Sequence, residues 1–92
     1  MEVELHIGAS GSLKDKRAVV RHLVESARHR FGVSASEVDH HDRWQRTGIG
    51  FAFVAPSAGR VETVLDQVER FVWSHPDVTV LSVTRRWLEE EE

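Results

Sequence analysis

Polar and apolar residues alternate through Glu2–Val3–Glu4–Leu5–His6–Ile7, the pattern of a strand with one face in a core and the other in water. Gly8–Ala9–Ser10–Gly11 breaks the alternation. Ser12, with Asp15 three residues on, supplies a capping-box-like helix start, the serine oxygen accepting from an otherwise orphaned backbone N–H. Beyond it Leu13, Val20, Leu23, Val24, Ala27 and Phe31 share one helical face, and Gly32 stands where a helix end favours glycine. Val33 to Asp39 reads as a second strand and Ile49–Gly50–Phe51–Ala52–Phe53–Val54 as a third. The short connection between them predicts an antiparallel hairpin. Pro56 and Ser57 end that strand and open a second helix, in which Val61, Val64, Leu65, Val68, Phe71 and Val72 keep an apolar stripe; Pro76 ends it. Val78–Thr79–Val80–Leu81–Ser82–Val83 supplies a fourth strand.

The order β-α-β-β-α-β predicts an α+β fold of ferredoxin-like type, a four-stranded antiparallel sheet with both helices on one face. One domain is expected over residues 1–88, with 89–92 as an acidic tail. The chain has 92 residues and no cysteine, so a small core must hold it without disulfides or thiolate metal sites. The start lacks the basic region and apolar run of a signal peptide, and no apolar stretch nears the roughly 20 residues that cross a bilayer. A cytoplasmic protein without membrane contact is the expectation. Many unrelated activities share this fold, so function has to be sought in side chains.

Charge changes the picture locally. The formal net charge of −3 includes Glu89–Glu92; without that run, twelve basic residues face eleven acidic ones. Between Ser12 and Arg30 the balance is six basic to two acidic. On a helical wheel Lys14, Arg17, Arg21 and Arg28 form a narrow stripe beside the apolar face, with Lys16 in the same basic run. One reading is a solvated face whose aliphatic stems cover the core edge. The other is a stripe that tracks the phosphates of RNA or another polyanion.

The segment Val38–Asp39–His40–His41–Asp42–Arg43–Trp44–Gln45–Arg46 holds more chemistry than a turn requires, which marks it as a candidate site at a strand end. Asp39, His40, His41 and Asp42 are metal-ligand types. On an extended strand His40 and His41 point to opposite faces and cannot easily share an ion, so no metal site is expected; Asp39 and His41, which could share a face, are weak candidates without a third ligand. The same four could act as acid–base groups, an aspartate orienting a histidine. No nucleophile setting, phosphate loop or cofactor fingerprint accompanies them, so no cofactor is expected and catalysis is the lesser reading. Thr47–Gly48–Ile49–Gly50–Phe51–Ala52–Phe53–Val54 partly matches the RNA-recognition-motif octamer, at Gly48, Gly50 and Phe51. Ile49, Phe51 and Phe53 share a strand face, either in the core or on an open sheet face where they would stack bases or bury against a second copy. Trp73 is expected to cap the core beside the second helix. Trp87 would anchor the tail or a dimer contact, and Trp44 is either a structural plug or a binding group.

Val3–Glu4–Leu5–His6–Ile7, Ser12–Leu13–Lys14–Asp15–Lys16–Arg17, Val33–Ser34, Glu37 through Arg46 and Ser74–His75–Pro76 together resemble the YlxP-like family, a domain of unknown function in small bacterial proteins. The likeness keeps order and spacing over nearly the whole chain, although His41 stands where the family pattern has glutamine. It implies a ferredoxin-like fold and a cytoplasmic bacterial protein, and brings no activity with it. Genes of the family often lie near those of translation-initiation and ribosome-maturation factors, which implies an RNA or ribosome partner. The expectation is a non-enzymatic RNA- or ribosome-associated module, homodimeric, with Lys14, Lys16, Arg17, Arg21 and Arg28 on phosphates. Arg43, Trp44, Gln45 and Arg46 would form a stacking and hydrogen-bonding edge. The alternatives are a small-ligand or metal site over Asp39–Arg46 and a protein-interaction module.

Overall fold

A computed structural model describes residues 1–8 and 10–88; the acidic run 89–92, expected as a tail, lies outside them. In chain order the elements are β1 (Glu2–His6), α1 (Leu13–Phe31), β2 (Ser34–Asp39), β3 (Arg46–Ala52), α2 (Ala58–Trp73) and β4 (Thr79–Thr84). The strands pair antiparallel in the order β2-β3-β1-β4, the ferredoxin-like arrangement, so β1 and β3 are central and β2 and β4 are edges.

The helices start and stop where local chemistry dictates. Ser12 Oγ accepts the Asp15 N–H at 3.1 Å, while Asp15 Oδ2 accepts from Gly11 N–H at 3.2 Å, one residue earlier than in the usual reciprocal box. Gly32 closes α1 at φ 68°, a left-handed conformation that a Cβ disfavours. Ser57 caps α2 in the same manner, accepting from Arg60 N–H.

A single core joins the inward positions of the sheet (Val3, Leu5, Ile7, Ala35, Ile49, Phe51) to Val20, Leu23, Val24 and Ala27 of α1 and Val64, Val68 and Val72 of α2. Ile49 and Phe51 are buried and Phe53 packs against them, so these side chains fill the helix side of the sheet. Neither a base-stacking platform nor a sheet-to-sheet contact is built from them. Trp73 does not cap the core as expected. Val72, not Trp73, is the buried residue at the end of α2, and Trp73 is 58% exposed. Trp87 lies three residues past the end of β4 and lines a groove with Val61 and Leu65. Among the described residues no helix is long and apolar enough to cross a membrane.

Candidate functional site

Lys16 is the largest fully buried side chain among the described residues. Its ammonium lies 2.8 Å from Glu37 Oε2 and donates to the carbonyls of His40 and, at 3.1 Å, of His41. Thr47 Oγ1 donates to the same Glu37 oxygen at 2.6 Å. A buried lysine needs such partners, because an unpaired charge away from water is strongly unfavourable. Lys16 therefore leaves the phosphate-contacting set expected from the sequence: it has no exposed surface and its donors are occupied within the fold. Its position carried the signal. Lys16 precedes Val20, Leu23, Val24 and Ala27 by four, seven, eight and eleven residues, which puts it in the middle of the apolar face. Grouping it with Lys14 and Arg17 by charge obscured that.

The sheet's other face is shaped by a bulge and a glycine. Pairing between β2 and β3 shifts register between Glu37 and Asp39, so Val38 and Asp39 lie over the same open face, Val38 beside Gly50 and Asp39 beside Gly48. Across the three neighbouring strands Asp39, Gly48 and Glu4 form one row. A Cβ at residue 48 would stand 3.0 Å from Asp39 Cβ, so glycine permits this approach. His40 follows at φ 60°. That left-handed turn ends the strand's alternation and sends the imidazole back across β3 to Glu4. His40 Nε2 is 3.0 Å from Glu4 Oε1 and 3.6 Å from Asp39 Oδ2. The second Glu4 oxygen pairs with Arg46 Nη2 at 2.8 Å, and Asp39 Oδ1 accepts the His40 backbone N–H at 2.8 Å. The hydrogen bond from His40, reinforced by Arg46, holds the Glu4 carboxyl below its ordinary pKa against the opposing effect of desolvation.

This corrects the expected metal candidates. Among the described residues, the group whose ligand atoms lie within 4.8 Å of one another is Glu4, Asp39 and His40, and His41 is not part of it. The extended-strand premise failed at His40, a non-glycine residue at positive φ that nothing in its type announces.

The loop after β2 is fastened to α1 and to the segment before it. Lys16 ties His40 and His41 to α1, the helix that carries exposed Lys14 and Arg17, and the loop that follows presents exposed Arg43, Trp44 and Gln45. Trp44 is 54% exposed, so it is no structural plug. The Gln45 amide reaches the Gly8 and Ser10 carbonyls only at 3.5 Å, a weak tether. Arg21 continues the exposed stripe. Arg28 donates to the Ala35 carbonyl of the edge strand at 2.6 Å, and Arg46 is held by Glu4 with its Nε buried and without a partner. The stripe thus runs along β2, on the side of α1 away from α2, where Phe31 meets Phe71.

Residues 1–85 match the family described as "Protein of unknown function (DUF503)". The chain is 37% identical over 86 residues to "Uncharacterized protein YlxP" of Bacillus subtilis (strain 168), with 94% of each chain covered.

Proposed function

The chain belongs to the DUF503 family, and from that premise we propose a non-enzymatic RNA- or ribosome-associated binding module whose contact surface is the edge formed by α1 and the β2–β3 loop. The observation that supports it most is the junction made by Lys16, which ties the loop bearing exposed Arg43 and Trp44 to the helix bearing the basic stripe. Lys14, Arg17, Arg21 and Arg43 make no ion pair with any described residue, so their charge is free for phosphates. Along α1 the stripe from Lys14 to Arg28 spans ~21 Å at 1.5 Å per residue, enough for a short run of backbone. Trp44 beside Arg43 offers a face on which a base stacks.

Fluorescence anisotropy with a labelled single-stranded RNA over a salt series tests this. Three to five phosphate contacts would give a slope of about −2 to −3.5 in log affinity against log salt. Combining Lys14→Glu, Arg17→Glu and Arg21→Glu should remove most of the affinity and flatten the slope. Trp44→Ala should weaken binding by about 1–3 kcal/mol and leave the slope unchanged. No binding at low salt, or binding indifferent to salt, sinks the reading.

A homodimer belongs to the same proposal, but its contact lies elsewhere than Ile49, Phe51 and Phe53. Val54, Trp87 and Leu88 stand exposed around one groove and offer an apolar surface for a second copy. Sedimentation of wild type against Trp87→Ala checks it.

A further inference from the structure

We propose that Glu4, Asp39 and His40 form a binding site for one divalent transition-metal ion of the zinc type on the open face of the sheet. The site does not depend on the RNA reading. Its ligand atoms come from two elements, one nitrogen and two carboxylate oxygens, the donor mix that suits zinc and its neighbours more than magnesium or calcium.

Geometry supports the assignment. Ligands about 2.1 Å from a tetrahedral zinc lie ~3.4 Å from one another. The two separations from His40 Nε2, 3.0 Å to Glu4 Oε1 and 3.6 Å to Asp39 Oδ2, bracket that spacing. Each carboxylate has one oxygen turned to the centre and the other tied back. Glu4 Oε2 is held by Arg46, and Asp39 Oδ1 by the His40 backbone N–H. Outer contacts of this kind orient metal ligands. The Arg46 guanidinium offsets one of the two carboxylate charges, and with a neutral imidazole the trio still presents a net negative pocket. The approach itself is built by three backbone features: the bulge at Val38, the missing side chain of Gly48 and the left-handed turn of His40. Side-chain exposures of 22% for His40, 29% for Glu4 and 56% for Asp39 leave room for a water as the fourth ligand. An ion held here would join the recognition loop to the central strand β1.

Isothermal titration of the full chain with zinc chloride, with magnesium chloride as control, provides the test. The expected result is one zinc ion per chain, no magnesium binding, and weakening as pH falls because the imidazole must be deprotonated to ligate. His40→Asn removes the ligand while suiting positive φ, and should abolish binding. Glu4→Gln and Asp39→Asn should each weaken it at least about tenfold, and Gly48→Ala should do so by displacing Asp39. His41→Asn should leave it unchanged. Circular dichroism confirms that each variant is folded. Absence of zinc binding, binding that survives His40→Asn, or equal loss in His41→Asn overturns the site, the last by showing adventitious capture by surface histidines.

Discussion

Beneath the sheet, Lys16 holds the β2–β3 loop from a position without solvent contact; above it, Glu4 and Arg46 hold His40 where water reaches every partner. Each fastening contains one pair of opposite charges at 2.8 Å, Lys16–Glu37 below and Arg46–Glu4 above, yet their energetic weight differs. In the interior, an ammonium stripped of water depends on Glu37 and two carbonyls, so removing either side leaves a stranded charge. On the open face a lost partner is replaced by solvent, and the network contributes little to stability. Charge pairs drawn alike therefore serve different ends, the lower one shaping the loop and the upper one leaving groups available for chemistry.

Breaking the lower fastening should have the largest effect. Lys16→Ala is expected to destabilise the fold by about 3 kcal/mol in urea unfolding, because it empties a fully buried site and leaves the part-buried Glu37 without its cation. The double replacement Lys16→Met with Glu37→Leu sharpens the contrast. It should recover part of that stability, the Thr47 hydroxyl being left without its acceptor, while exchange of the loop amides in Asp39–Gln45 should quicken, since the His40 and His41 carbonyls lose their donor. Thr47→Val should cost about 1–3 kcal/mol by removing one hydrogen bond to Glu37.

The smallest effect belongs to Glu4→Gln, read through pH. Because the folded Glu4 carboxyl titrates below its ordinary value, its contribution is present above an unfolded pKa of about 4.3 and is lost as pH falls through the folded one. Wild type and Glu4→Gln should differ slightly near neutrality and converge in acid. A gap that widens as the pH drops would contradict the assigned sign.

Much of the fold was legible because apolar spacing and caps agree: the faces of α1 and α2, Ser12, Gly32 and Ser57 all act as their residue types suggest. The lower fastening was legible in principle. Lys16 lies on the apolar face of α1, Glu37 follows Ala35 by two on β2, and Thr47 precedes Ile49 by two on β3, so all three share the inward periodicity of known core residues. Their polarity hides them, because charged and hydroxyl side chains ordinarily face water. The upper arrangement was not legible. It depends on a one-residue bulge and a positive φ at histidine, neither fixed by local sequence, and on Glu4, which lies 36 residues from His40. Arg43, Trp44 and Gln45 stand exposed while Arg46 is held by Glu4, and the tie of this loop to α1 through Lys16 is a tertiary contact that local sequence does not announce.

The reach of Lys16 also sets an order of events in folding. Its carbonyl partners lie 24 and 25 residues along the chain, so the contact should close only once α1 rests against the sheet. Local contacts within the loop are few, so the loop should take its shape late and open early, ahead of global unfolding. A nascent or partly unfolded chain would carry the same arginines and indole but not the surface they make together.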